Sequence, residues 1–293
     1  MKAVLLLAFG GPRSLEEVEP FVRSLLGREP PPGLLSLTRK RYEAIGGRSP
    51  LPEAVARLAD KMEEALGLEW MVRPAMLFSE PSLSRAVREA AERGVSALVG
   101  VSLSPHRSRV TAGNFAQALE REAAAAGLPW TLIAGWHLHP LFVGELTRIL
   151  REAWPLEKGE KVIFTAHSLP RAVAEGDPYE RELAETVEKV ISSFPSFPWT
   201  LAFQSRGPEG EWLGPQVEEV MAAWAAEGGR GVTVQPVGFL FDHMETLYDL
   251  DVTAREQARN LGLRFRRLPC PGHSPGIVAL FAELVGTAGE GFP

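Results

Sequence analysis

The chain has 293 residues, 45% hydrophobic and 23% charged, enough to build one large or two medium cores and incompatible with wholesale disorder. Its net charge of −6, with no Lys/Arg run of five or more, gives no footing for tracking a phosphate backbone, so nucleic acid is not an expected partner. One cysteine, Cys270, excludes an internal disulfide and any Cys-only metal or iron–sulfur centre within one chain, which fits a reducing cytoplasm.

In chain order, the apolar run 3–9 predicts a strand. It resembles a secretion signal only briefly, because Gly10-Gly11-Pro12 stops it, Lys2 is the single basic residue before it and no small-residue cleavage site follows. A helix is expected over 15–26. The segment 28–40, with Pro30-Pro31-Pro32 and Leu34, Leu35 and Leu37, reads either as a mobile lip or as a Pro-rich loop leading into a helix. Strands over 70–78, 98–103 and 131–135 then alternate with helices over 53–66, 83–93, 110–126 and 141–153. The second half repeats the rhythm: strands over 161–166, 200–204, 232–237 and 263–268, and helices over 179–193, 215–227, 243–261 and 276–285. Short Val/Leu/Ile runs joined by longer helical segments are the pattern of parallel strands buried on both faces, an α/β fold. No stretch approaches the roughly 20 apolar residues of a membrane span, so membrane contact is at most peripheral.

The strands fall into two sets of four with a break at 154–159. That places an N-terminal lobe at 1–157 and a C-terminal lobe at 158–270, with a last helix in 271–293 packing back on the first lobe. In open α/β sheets the chemistry sits where strands end and helices begin. His167 stands at such a point, after the strand 161–166. One strand pair later, Asp242-His243-Met244-Glu245 opens a helix, and Glu245 and Asp249, four residues apart, share a face about 6 Å along its axis. His137 and His139 alternate after a strand, as a two-His clamp or a loop with one buried ring; His106 and His273 read as loop residues. Arg264, Arg266 and Arg267 read as the solvent side of a strand. Neither G-x-G-x-x-G, nor a P-loop, nor a nucleophile elbow occurs.

Six segments in order resemble ferrochelatase: Leu5-Leu6-Leu7-Ala8-Phe9-Gly10-Gly11-Pro12; Arg41-Tyr42-Glu43-Ala44-Ile45-Gly46-Gly47-Arg48-Ser49-Pro50-Leu51; Ala166-His167-Ser168-Leu169-Pro170; Gly176-Asp177-Pro178-Tyr179; Phe203-Gln204-Ser205 followed by Trp212-Leu213-Gly214-Pro215; and Pro236-Val237-Gly238-Phe239 with Asp242-His243-Met244-Glu245-Thr246-Leu247-Tyr248-Asp249. The resemblance implies two flavodoxin-like, that is Rossmann-like, lobes, each with a four-stranded parallel sheet, a porphyrin cleft between them, and insertion of Fe²⁺ into the ring. By the same resemblance His167 and Glu245 are the catalytic and metal-site pair, and the acidic ladder continues to Asp249 but meets Thr253 at its next rung. Porphyrin contacts fall on Phe9, Arg41, Tyr42, Ser49 and Phe115. Some members carry Tyr at the position of Phe9; Phe can stack but not ligate.

Members with an iron–sulfur cluster have a cysteine-bearing C-terminal extension. None follows Pro293, so no cluster is expected, and no prosthetic group: Fe²⁺ is a substrate beside the porphyrin. Beyond these, the expected partners are at most transient contacts with heme-pathway enzymes, and the expected compartment is the cytoplasm. An imidazole suits Fe²⁺ as a ligand and can equally accept a pyrrole proton, so which of His167 and Glu245 does which stays open. A carrier that holds the ring without metallating it would not need Glu245, and a cobalt chelatase would be expected to arrange its histidines differently. Whether the ring is protoporphyrin IX or coproporphyrin III is also open.

Overall fold

The computed structural model describes residues 1–291. Eight strands form: β1 Lys2–Ala8, β2 Trp70–Met76, β3 Leu98–Ser102, β4 Trp130–Ile133, β5 Glu160–His167, β6 Trp199–Gln204, β7 Gly231–Pro236 and β8 Arg264–Arg267. They follow the expected runs to within about two residues at each end, because strands covered on both faces require nearly unbroken apolar sequence. Ala3 through Leu7 are all 0% exposed.

The strands make two four-stranded parallel sheets with the same order, β2-β1-β3-β4 and β6-β5-β7-β8. In each, strand order reverses beside the central pair, β1 with β3 and β5 with β7. At that switch point the outgoing loops diverge and leave a crevice beyond the strands' carboxyl ends. Leu5, Leu7, Val87 and Leu119 pack the first core; Ile163, Val234, Met221 and Leu250 pack the second.

The compact units are Met1–Trp136 with the described part of 273–293, and His137–Gly272. The boundary lies before the helix Pro140–Arg151, not at 157/158 as the linker-like composition suggested. That helix packs on Tyr179–Ile191, and the buried Gln235 Nε2 of β7 donates to Leu146 O at 2.8 Å, so it belongs to the second sheet. Trp136 anchors the end of the first unit, donating through Nε1 to Ser102 O at 2.8 Å and meeting Phe281 edge-on at 5.0 Å. The helix Pro275–Gly289 returns to the first unit, against Leu51–Leu66, β3 and β4. Phe292 and Pro293, the end of the expected last segment, lie outside the described residues.

The Pro-rich stretch resolves as a helix, Pro32–Ala44, with proline in its first turn, where the missing N–H costs nothing. Leu34 and Leu37 lie exposed on it, and this absence of an apolar stripe on the covered side is why its sequence reads as loop. Among the described residues no helix is long and apolar enough to cross a membrane.

Candidate active site

His167 closes β5 at the switch point of the second sheet. Its Nδ1 lies in a short contact with the backbone oxygen of Ser168. A carbonyl can only accept, so Nδ1 carries the proton and Nε2 is directed outward. There it meets Glu245 Oε1 at 3.4 Å, with the two side chains 32% and 31% exposed. Burial acts to lower the His167 pKa, but the Glu245 carboxylate, aided by the Ser168 carbonyl, outweighs it and pushes the value up to about 9. The Tyr179 hydroxyl donates to His167 O at 3.1 Å, and burial together with Glu245 raises its own pKa.

Glu245 arrives from the other side of the switch point. After β7 the chain turns tightly across the end of β5. A Cβ on Gly238 would sit 2.6 Å from Ala166 Cβ, so only glycine lets the loop pass this close to the residue before His167. The helix Met244–Tyr248 then starts with His243 as its cap: Glu245 N donates to His243 Nδ1 at 3.2 Å, and His243 N donates to Thr246 Oγ1 at 3.0 Å. Accepting at Nδ1 requires a neutral ring, consistent with the burial that lowers the His243 pKa against the opposing pull of Glu245 and Asp242. From β6, Gln204 Nε2 donates to Glu245 O at 2.8 Å. Strands on both sides of β5 therefore place the Glu245 backbone beside His167.

Asp249 is placed differently from an ideal ladder. The helix passes into a π-helical segment, Asp249–Ala254, and the Asp249 carboxylate accepts from the Ser205 hydroxyl in a short contact. Ser205 takes φ 63°, a left-handed conformation that an L-residue adopts at some energetic cost, directly beside the site. Thr253 is exposed. Among the described residues no group of three or more His, Cys, Asp or Glu is arranged to hold a metal. One carboxylate oxygen of Asp249 is engaged by Ser205, while His167 and Glu245 stand as a partly exposed pair.

In the first unit Phe9 follows β1, with its ring 5.7 Å from Phe78 and 5.4 Å from Phe115. Phe115, Tyr42 and Ser49, expected by resemblance among the porphyrin contacts, are only 1%, 3% and 3% exposed. Phe115 belongs to the core and backs Phe9. Ser49 is bound into its own turn, accepting from Leu51 N at 3.3 Å, and donates its N–H to Pro12 O at 2.8 Å. Phe9 and Arg41 remain partly exposed. Beside Phe78 lies a cavity of about 360 Å³ that also borders Pro12, Arg13, Phe21 and Leu77.

The remaining histidines separate by role. His137 is buried between Glu182 at 3.4 Å and Glu185 at 2.9 Å, while His139 Nδ1 accepts from Leu141 N to cap a helix, so the two do not form a clamp. His106 is buried, 1% exposed, whereas its loop position suggested surface or local bonding. Arg267 is also not on the solvent side: its side chain is 12% exposed and paired with Asp242 and Asp251. Sequence reasoning assigned no role to Tyr179, Gln204 or Ser205 and read Asp242 only as an acid favoured at a helix start, although all four lie inside the ordered motifs, at strand ends or a helix start.

The ferrochelatase family model matches residues 1–288. The ferrochelatase of Herpetosiphon aurantiacus is 33% identical over 297 residues, 97% of this chain and 97% of its own. That of Geotalea daltonii is 34% identical over 314 residues, 99% and 98% of the two chains, and that of Aquifex aeolicus 32% over 308 residues, 97% and 98%. Among solved structures, SirB from Bacillus subtilis with Fe³⁺ aligns with a TM-score of 0.65 at 12% identity, covering 97% of this chain and 94% of that one. CbiX, described as the terminal enzyme for siroheme biosynthesis in denitrifying bacteria, aligns at 0.57 and 18%, covering 98% of each chain. At such identities these two speak to architecture alone, two flavodoxin-like α/β units of chelatase type. With the family model spanning nearly all of its length, the chain belongs to the ferrochelatase family, the metal-inserting lyases of heme synthesis.

Proposed function

We propose that the chain inserts Fe²⁺ into a free-base porphyrin at the His167–Glu245 pair. The observation that carries this reading is the 3.4 Å approach of His167 Nε2 to Glu245 Oε1 at the β5/β7 switch point, with Asp249 one turn further along the chain. Metallation delivers one dication to the ring nitrogens and removes two pyrrole protons. Charge therefore stays low only if protons leave as the ion arrives.

In the resting pair His167 holds a proton against the Glu245 carboxylate. An approaching Fe²⁺ neutralises Glu245 and repels the imidazolium, so the proton departs, with Asp249 as the next acceptor. A neutral imidazole is then left to take a pyrrole proton when the ion passes into the ring. The second pyrrole proton goes to the Glu245 carboxylate once the metal has left it. An open site suits this exchange, since a closed three-ligand cage would hold the ion back from the porphyrin. Phe9 is proposed as a stacking surface for the ring and Arg41, by its planar fork of donors, as a partner for a propionate.

The test is anaerobic Fe²⁺ with protoporphyrin IX and, separately, coproporphyrin III, followed by loss of the free-base visible bands. Metallation above the buffer rate with either ring supports the reading, and the faster of the two identifies the substrate. Ring binding without metallation would replace it with a carrier.

A further inference from the structure

Around the Glu245–Asp249 segment runs a second set of charges that the reaction does not use. Arg267, the last residue of β8, points inward and divides its guanidinium between two aspartates. Its Nη1 donates to Asp242 Oδ1 at 2.9 Å. Its Nε donates to Asp251 Oδ1 and Oδ2, each at 2.9 Å, and Nη2 lies 2.8 Å from Asp251 Oδ2. Asp242 precedes Glu245 and Asp251 follows Asp249, so one side chain grips the segment on both flanks.

The grip on Asp242 extends into the helix itself. Asp242 Oδ1 also accepts from the Thr246 hydroxyl at 3.0 Å, and Thr246 Oγ1 in turn accepts from His243 N at 3.0 Å. The turn that presents Glu245 is thereby tied to β8. Its far end, where the backbone widens into the π-helical segment, is tied by Asp251, which Arg255 Nη2 also contacts at 2.9 Å. A bidentate contact to one carboxylate together with a single contact to another requires the planar fork of arginine. A lysine ammonium, with its three donors at one point, cannot span both.

We infer that Arg267 is a positioning residue for metal capture: by clamping Asp242 and Asp251 it sets where Glu245 stands relative to His167, without touching either. The inference rests on the His167–Glu245 reading above.

R267K and R267M, alone and combined with E245Q, test it. Co²⁺ alone is titrated into each protein and read by its d–d absorption, while Fe²⁺ and porphyrin kinetics are run in parallel and circular dichroism confirms folding. Supports of metal-binding groups typically contribute 10–100-fold in affinity or activity. R267K should therefore raise the Co²⁺ Kd and the KM for Fe²⁺ by about tenfold or more, with the porphyrin KM unchanged. In the E245Q background the same substitution should alter the Co²⁺ Kd by less than about twofold, because the residue it positions is already gone. Wild-type Co²⁺ affinity and Fe²⁺ kinetics in a folded R267K, with E245Q impaired, would overturn the inference alone. An equal loss from R267K with and without Glu245 would overturn it in favour of general support. A wild-type chain that does not metallate porphyrin, or E245Q with wild-type rates, would overturn the functional reading and this inference together.

Discussion

Glu245→Gln removes the charge at the centre of the site with almost no change in volume. Its partner atom, His167 Nε2, is 3.4 Å away. Two unit charges at that distance attract by about 5 kcal/mol at an effective dielectric of 20 and by about 1.2 kcal/mol in bulk water. With the side chains 32% and 31% exposed, solvent screening brings the working value to about 2 kcal/mol. At about 1.4 kcal/mol per pH unit, the substitution should lower the His167 pKa from about 9 by roughly one to two pH units. A folded-state pKa raised above 6.5 contributes stability that is fully present below that value and is lost as pH rises through about 9. The wild-type melting temperature should accordingly fall between pH 6.5 and about 9, and that of E245Q should fall less across the same window. The direct assay is the ring resonance of His167 by NMR, assigned with H167A and titrated through the neutral and alkaline range. An unchanged midpoint in E245Q would refute the argument, because something other than Glu245 would then be holding the proton.

Three further substitutions separate packing from chemistry. Gly238→Ala forces a Cβ to within 2.6 Å of Ala166 Cβ, so it should cost about 1–3 kcal/mol in urea unfolding and weaken Co²⁺ binding as the loop lifts away from His167. Phe115→Ala opens a cavity behind Phe9 and should lose about 3–5 kcal/mol, with Co²⁺ affinity unchanged; a stability loss under about 1 kcal/mol would contradict its place in the core. At Ser205, alanine keeps the left-handed strain and loses the hydroxyl on Asp249, whereas glycine loses the hydroxyl but relieves the strain. S205A should therefore unfold at lower urea than S205G, by about 1 kcal/mol of stability, and the reverse order would show that the conformation is not strained.

Much of the fold was legible because buried parallel strands have to be apolar throughout: Val4 through Leu7 and Val162 through Phe164 announce β1 and β5 without any tertiary information. His167 was legible as a strand-end residue, and the ordered motifs identified Glu245 and Asp249 with it. Less legible were features whose signal lies in a distant partner. The helix Pro140–Arg151 carries an ordinary amphipathic pattern, and only its packing on Tyr179–Ile191 assigns it to the second unit. Phe115 and Tyr42 are aromatics that a motif can mark, but their exposure depends on what packs over them.

The arginines of β8 illustrate the division most simply. As sequence, Arg264, Arg266 and Arg267 form one basic cluster, and Asp242 and Asp251 are two acids near a helix start. The pleat sends Arg264 and Arg266 to solvent and turns Arg267 to the opposite face. Pairing with β7 then brings it to the loop that presents Glu245. Sequence by itself determined the strands and the parallel α/β class, and its ordered motifs marked His167 and Glu245 as the candidate pair, since those follow from local hydrophobic period and short-range order. Only the tertiary structure decided which charges meet, because an ion pair depends on side-chain direction and strand adjacency, and neither is encoded within a few residues of the charge itself.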